Sequence, residues 1–315
     1  MNGICDFIIN PKARSGMGEM VWRRLEPELK KRRVPYRAHL TGSRRHAEHI
    51  AEAITADGME HTLVVLGGDG TLNEVVNGIK EPEKAILGYI PAGSGNDFSR
   101  GLAIPSEPLC ALERILRREG MRRIDIGVLE RAGSERRFVV SAGAGFDAAV
   151  CHEICVSRWK TMLNKIGLGK LSYTAVALDR LKKDRPVRLE LEFPDGSREV
   201  CGRTYFAAFL NLPYEGGGFR FAPEALPDDG MLDVLVLHDV PLWKILFLLP
   251  LAFGGKHVHF KGVTLHRCTG VRMGADRALP LHTDGEPGFL RRDIRVRCEK
   301  EKLRVLGCGK IFNVL

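Results

Sequence analysis

The chain lacks any run of about 20 consecutive apolar residues, the length a membrane-spanning helix needs. Its longest apolar stretch, Val240 to Phe253, is broken by Pro241, Lys244 and Pro250, so no spanning helix is expected. No secretory leader is legible either, because Asp6, Asn10, Lys12 and Arg14 interrupt the early apolar run, and a cytoplasmic setting is expected. There is no CxxC pair. The cysteines at 5, 110, 151, 155, 201, 268, 298 and 308 lie scattered, mostly inside apolar runs, as buried reduced thiols do. Cys151 and Cys155 could share a helix face beside His152, but with no second ligand pair a zinc site is not expected. No GxxxxGK[ST] motif exists, which excludes a Walker-type NTPase, and no internal repeat or low-complexity segment occurs.

What is present is enough for a full core: 315 residues with 44% hydrophobic content. On the prior of roughly 100 to 200 residues per domain, that is the length of two domains. The net charge of +9 favours anionic partners and leaves nucleotide, acidic lipid and nucleic acid open. No basic-aromatic motif accompanies the charge, so no nucleic-acid partner is expected. Between Cys155 and Arg185 eight basic and two acidic side chains leave a local charge of +6. That window would suit an anionic membrane surface or a solvated helix face.

Residues 1 to about 125 alternate short apolar runs with helical patterns. Ile4 to Asn10, Tyr36 to Leu40 and Leu63 to Leu66 read as strands, and helices are expected from about Met17 and after Ser43. This rhythm predicts an α/β N-terminal domain, a parallel sheet with helices on both faces, whose ligands bind at the carboxyl ends of the strands. From about Ile126 the texture changes to short strand-like runs: Phe138 to Ala142, Val187 to Phe193, Thr204 to Leu210, Leu232 to Leu237 and Ile294 to Cys298. Turn residues such as Pro194-Asp195-Gly196 separate them, the pattern of a mainly antiparallel β-sandwich over 126–298. Helical content is expected there only near 145 to 182 and 241 to 253.

The most informative stretch is Gly67-Gly68-Asp69-Gly70-Thr71, fed by the apolar run His61 to Leu66. It reads as a strand-turn-helix phosphate site. Glycines let a backbone approach a ligand, and the helix that follows aims unpaired N–H groups at an anion. Thr71 and Glu74 fit Ncap and N3 of a capping box, and Leu72, Val75, Val76 and Ile79 follow with helical spacing. Asp69 is the odd member, since a carboxylate beside phosphate requires a bridging cation or a hydrogen bond to accept. A magnesium nucleotide is the expected ligand.

The run Gly67 to Gly78 resembles the catalytic domain of diacylglycerol and related lipid kinases, a group similar to NAD kinases and phosphofructokinases. Ile8-Ile9-Asn10-Pro11-Lys12-Ala13-Arg14-Ser15-Gly16 resembles that family's opening nucleotide loop, and Ile90 to Arg100, through Gly93-Ser94-Gly95-Asn96-Asp97-Phe98, its second glycine loop. The resemblance implies ATP and Mg²⁺ as cofactors. It implies nucleotide contacts from Asn10, Pro11, Lys12, Ala13, Arg14, Thr41, Gly67, Gly68, Asp69, Gly70, Thr71, Leu72, Asn73 and Ser94, the last standing where the family usually has threonine. Asp97 reads equally as a helix cap. Gly216-Gly217-Gly218 and Asp228-Asp229-Gly230-Met231 resemble the family's structural-magnesium stretch. By position, Asp229 would supply a carboxylate, and Leu226 and Met231 backbone carbonyls. His282-Thr283-Asp284-Gly285-Glu286 resembles its catalytic Asp-Gly-Glu, with Glu286 as base and Asp284 assisting from the same side of an extended segment. Asp69 joins them as a catalytic candidate. The resemblance also leaves room for a last strand, after about residue 299, to return to the first domain.

The expected function is transfer of the ATP γ-phosphate to a lipid hydroxyl, diacylglycerol first, by a protein touching the membrane surface peripherally. An NAD kinase-like phosphotransferase is the main alternative, although its second loop resembles Asn-Thr-Gly-x-Leu-Gly-Phe. A dinucleotide-binding oxidoreductase would rest on Gly143-Ala144-Gly145-Phe146-Asp147-Ala148 alone, and Lys165 stands near where its acidic residue belongs. Gly93-Ser94-Gly95 fails as a nucleophile elbow because Ala92 and Asn96 flank it.

Overall fold

The computed structural model describes residues 4–131, 133–146, 148–149 and 185–310. Apart from Arg185, the basic window from Cys155 lies outside the described residues, as do most of the helical pattern expected from 145 to 182 and Cys151 and Cys155. The chain divides into two compact units, Met1–Ile126 with Glu299–Leu315, and Gly127–Cys298.

In the first unit, β1 (Cys5–Ile9), β2 (Tyr36–Leu40), β3 (His61–Gly67), β4 (Ala85–Pro91) and β5 (Arg122–Ile124) form one sheet with the return strand Leu303–Leu306. The order is β2-β1-β3-β4-return-β5, parallel throughout except at β5, which runs antiparallel to the return strand. Every residue of β1 and β4 is buried, as strands covered on both faces are, and the one carboxylate among them, Asp6, is bonded to Arg37 and His39. Helices α1 (Met17–Lys31), α2 (His46–Thr55), α3 (Asp69–Gly78), α4 (Asp97–Gly101) and α5 (Pro108–Leu116) connect the strands. Helix α1 packs on α5 and α2 on α3. The α2–α3 crossing is close because Gly78 lacks a side chain: a Cβ there would stand 2.1 Å from the Glu48 carbonyl oxygen.

The second unit contains β6 (Gly127–Arg131), β7 (Ser134–Phe138), β8 (Ser141–Gly145), β9 (Val187–Glu192), β10 (Arg198–Leu210), β11 (Leu232–His238), helix α6 (Leu242–Phe253), β12 (Val263–Cys268), β13 (Gly270–Leu279), β14 (Leu281–Thr283), β15 (Glu286–Pro287) and β16 (Arg291–Cys298). All pairings are antiparallel, along β15-β14-β8-β10-β9-β13-β16-β6-β7, with β11 joining β10 to β12. The long strand β10 shifts register twice, between Cys201 and Thr204 against β9 and between Thr204 and Phe206 against β11. Such bulges bend a sheet, and here residues from distant parts of the path, Leu129, Phe138, Phe209, Val234 and Ile294, share one core. Side-chain alternation then sends Phe206, Ala208, Leu210, Leu235 and Leu237 to a second core beneath Ile245, Leu248 and Ala252 of α6. The unit is thus an antiparallel sandwich with a helix on its outer face.

Two readings change. Phe138 to Ala142 is not one strand but the junction of β7 and β8, with a bend at Val139 and Val140. Gly143 to Gly145 closes β8, which is paired antiparallel with β10 and β14, so that although Phe146 is helical the motif does not follow a strand of a parallel sheet. The oxidoreductase reading loses the structural context that its motif requires.

His257 lies in this second core, 4% exposed and edge-on to Phe221 with 5.7 Å between ring centroids. Burial pushes its imidazole down to about 4, so it is neutral in the fold and takes up a proton on unfolding. The stability this contributes is complete above the ordinary histidine pKa of about 6.5 and lost as pH falls toward 4. Asp233, pushed up to about 6 by burial and then by Glu224, works in the opposite sense over part of that window. The test is therefore a difference: unfolding free energies of the wild type and His257→Leu should converge or cross as pH drops from 7 to 4, by on the order of 3 kcal/mol. A difference independent of pH would refute the assignment.

Candidate active site

At the carboxyl end of β1, the backbone N–H of Asn10 donates to Leu66 and that of Thr41 to Ile9, binding the ends of β1, β2 and β3 together. The Asn10 side chain accepts from Lys12 N–H at 3.1 Å and donates to Thr71 Oγ1 at 2.9 Å, joining the first loop to the start of α3. Asn10, Lys12, Thr41 and Thr71 then line one cleft of about 290 Å³, with Arg44 and Glu74 beside them. Lys12 and Arg44 give it positive charge. Arg44 was not among the expected residues; the only sequence signal was a cation in the turn after the second strand.

The two glycine loops touch. A Cβ on Gly68 would stand 3.2 Å from Gly93 Cα, and one on Gly93 would stand 2.6 Å from Gly68 Cα. Asp69, the odd carboxylate, accepts the N–H groups of Asp97 and Phe98 at 3.1 and 3.3 Å, so it holds the second loop at the mouth of the first. Tyr89, fully buried against Phe98, donates its hydroxyl to the Gly67 carbonyl at 3.2 Å and fixes the strand end behind. Asp97 is buried and paired with Arg100, and Ser94 is exposed on the loop crest.

The capping box does not form. Helix α3 begins at Asp69 with Gly68 as its cap, Thr71 serves Asn10 instead, and Glu74 accepts the N–H groups of Arg45 and Ala47 at 2.7 and 3.2 Å. Glu74 thereby caps α2, a neighbour in space that the local pattern does not reveal. Leu72 and Asn73 are fully buried, as is most of Ala13, so their side chains support the loops from below rather than line the cleft. Arg14 and Ser15 hold left-handed φ values of 42° and 58° leading into Gly16, a sharp corner before α1.

In the second unit, Asp284 and Gly285 have φ of 48° and 78°, and Thr283 pairs with Glu286. This is a two-residue Asp-Gly hairpin turn of the left-handed kind, so the expected extended segment with both carboxylates on one side is not what forms. Asp284 is buried, and its carboxylate accepts the N–H groups of Val139, Val140 and Ser141 at 3.1, 2.8 and 3.0 Å. It stitches the hairpin to the bend between β7 and β8. Glu286 is half-buried at the start of β15.

Behind the turn lies a pair that sequence reasoning missed: His282 Nε2 stands 2.9 Å from Glu215 Oε1, with both side chains buried. Gly285 N–H points at His282 Nδ1 from 3.3 Å. A backbone N–H only donates, so in neutral His282 the proton resides on Nε2, toward Glu215. Its sole sequence signal is a histidine two residues before the acidic turn.

Asp229 accepts Met231 N–H at 2.9 Å and is paired with Arg267. Its carboxylate and the Leu226 and Met231 carbonyls are hard oxygen donors of the type magnesium takes, yet a cation there competes with the guanidinium. Among the described residues, Glu199, Cys201 and His238 also bring ligand atoms together, within 4.8 Å of one another. His238 already bonds Asp239 and Thr264, and Glu199 pairs with His266, so the group satisfies itself without a metal. No helix among the described residues is long and apolar enough to cross a membrane.

Comparison with known proteins gives this geometry its setting. Residues 6–129 match the diacylglycerol kinase catalytic domain, and residues 139–307 match the YegS C-terminal NAD kinase beta sandwich-like domain. The chain is 33% identical over 285 residues to the YtlR protein of Bacillus subtilis, covering 89% of this chain and 92% of that one. It is 30% identical over 254 residues to the diacylglycerol kinase of the same organism, covering 78% and 80%. A crystal structure of a diacylglycerol kinase from Bacillus anthracis superposes with a TM-score of 0.68 over 96% of both chains, at 16% identity, and so shares the fold. The chain belongs to the diacylglycerol kinase and YegS-like family of lipid kinases.

Proposed function

We propose that the protein transfers the γ-phosphate of ATP to a lipid hydroxyl, with diacylglycerol the foremost substrate and phosphatidate its product. The observation that carries the reading is the cleft at the strand ends, where Asn10, Lys12, Thr41 and Thr71 converge beside two interlocked glycine loops. Its cations suit the phosphate chain, and its amide and hydroxyls suit oriented hydrogen bonds to phosphate oxygen or ribose. Magnesium, when bound, would neutralise the charge that develops on the phosphates, and Asp69, in the first glycine loop, is the carboxylate that would hold it. Asp229, Leu226 and Met231 would hold a structural ion only by displacing Arg267. Glu286 takes the proton from the attacking hydroxyl, and Asp284 keeps the turn that carries Glu286 in place. The chain's own second loop, Gly93 to Phe98, departs from the NAD kinase pattern and favours a lipid acceptor. A peripheral membrane contact belongs to the same reading. Helix α6 exposes Trp243 at 70% and Phe247 at 54%, with Leu242 and Leu246 beside them, and its 12 residues could lie in an interface without crossing it.

The test is transfer of label from γ-labelled ATP, with and without Mg²⁺, to diacylglycerol, ceramide, a sphingoid base, phosphatidylglycerol and NAD, resolved by chromatography. Label in a lipid is expected; label in NAD alone overturns the reading. Gly68→Val is expected to lower ATP affinity by about tenfold or more, because its side chain both blocks the backbone and presses on Gly93. A calorimetric titration checks this, with thermal melting to verify that the variant is folded. Unchanged affinity would remove the glycine loop from the nucleotide site.

A further inference from the structure

Immediately after Glu286 the chain passes through Pro287 and Gly288 and exposes two large apolar side chains, Phe289 at 67% and Leu290 at 58%. Phe289 is held between cations. The Arg131 guanidinium carbon lies 5.4 Å from its ring centroid and that of Arg291 lies 5.8 Å away. Close packing fixes this arrangement, since a Cβ on Gly288 would already stand 3.0 Å from Arg131 Nη1.

The charges are unusual. Arg131 donates to Ser134 Oγ at 3.2 Å and Arg291 to the Leu290 carbonyl at 2.8 Å, and among the described residues neither has a carboxylate partner. The nearby carboxylates are otherwise engaged: Glu130 pairs with Arg295 and Arg297, and Glu135 with Arg297. Along the strand, exposed Asp293 follows Arg292, and its Oδ1 would meet a Cβ on Gly274 at 3.4 Å. Burial, and then the Arg136 and Arg291 guanidinia, hold Arg131 below the usual arginine range. Like charges gathered around an exposed aromatic ring favour an anion arriving at that spot, and a wet ring with a wet leucine favours an apolar phase beside it. A bilayer with anionic headgroups supplies both within one interface.

We infer that Phe289 and Leu290, flanked by Arg131 and Arg291, form a docking edge for an anionic phospholipid bilayer directly after the residue that takes the hydroxyl proton. This rests on the lipid kinase reading for its purpose, but not for its test. The partner is the membrane surface itself, distinct from the acceptor lipid. The edge would bring the hairpin carrying Glu286 to the depth of the headgroups, where a glycerolipid hydroxyl resides.

The test uses the full chain and vesicles of phosphatidylcholine alone or mixed with phosphatidylglycerol, read by co-sedimentation across a salt series. Arg131→Gln with Arg291→Gln is expected to weaken binding to anionic vesicles by about thirtyfold, from about 1 kcal/mol per basic residue near an anionic leaflet. Phe289→Ser with Leu290→Ser should weaken it as well, with melting curves confirming the fold. In a second arm, Phe289→Trp should give emission that blue-shifts on anionic vesicles and is quenched by brominated acyl chains, beyond the signal of the parent tryptophans. Undiminished vesicle binding by both double variants, or added emission from the Phe289→Trp protein that vesicles leave unchanged, would overturn the docking edge. So would loss of self-association in place of vesicle binding, which would make the patch a contact between copies. Vesicle binding that depends on these residues in a protein that labels no lipid would leave the edge standing and remove the kinase reading instead.

Discussion

Glu286→Gln is expected to lose roughly 10² to 10⁴ in turnover while binding ATP as before, the usual contribution of a positioned general base. The substitution keeps the size of the side chain and its place opposite Thr283, so the hairpin should persist. What it removes is the ability to take a proton. Single-turnover transfer of label from ATP to diacylglycerol in mixed micelles measures the chemical step apart from product release. Turnover within a fewfold of wild type would move the base role elsewhere.

Asp284→Ala is expected to destabilise the second unit by about 3 kcal/mol or more. Three buried N–H groups, of Val139, Val140 and Ser141, would lose their acceptor, and each such loss typically costs about 1 to 3 kcal/mol. Alanine at a φ of 48° adds about 1 kcal/mol of backbone strain. Asp284→Asn keeps a carbonyl oxygen and should recover part of the loss. Urea unfolding of both variants measures this. Because the Asp284 carboxylate holds the turn before Glu286, turnover in the folded asparagine variant should track how well the hairpin is restored. A stable, fully ordered alanine variant would show that the bend at 139–141 needs no carboxylate.

The parallel sheet was legible because β1 and β3 carry short, mostly apolar runs and the helices between strands repeat their apolar residues at helical spacing; both are properties of consecutive residues. The antiparallel unit was legible from alternation and turn residues, and the split of β10 and β11 into two cores, Ala207 and Phe209 on one side and Phe206 and Ala208 on the other, follows that same period of two. The glycine loops announced themselves because few residues other than glycine fit where Gly68 and Gly93 meet. The partners of the polar side chains were a different matter. Thr71 and Glu74 satisfy a local capping pattern, yet Asn10 and the start of α2 offer geometry that the helix's own first turn does not. Asp284 looked like an assistant to Glu286 on the same side of an extended segment until its left-handed corner turned it toward Val139, Val140 and Ser141. His282 and Glu215, far apart in sequence, meet only in the folded unit.

By itself the sequence determined most of the elements, their class and the chemistry available, because periodicity, glycine and residue type act over a few neighbouring positions. The tertiary structure alone decided which polar group answers which. A hydrogen bond or ion pair depends on distances of about 3 Å, and those are set by how strands and helices from remote parts of the chain come to rest against one another.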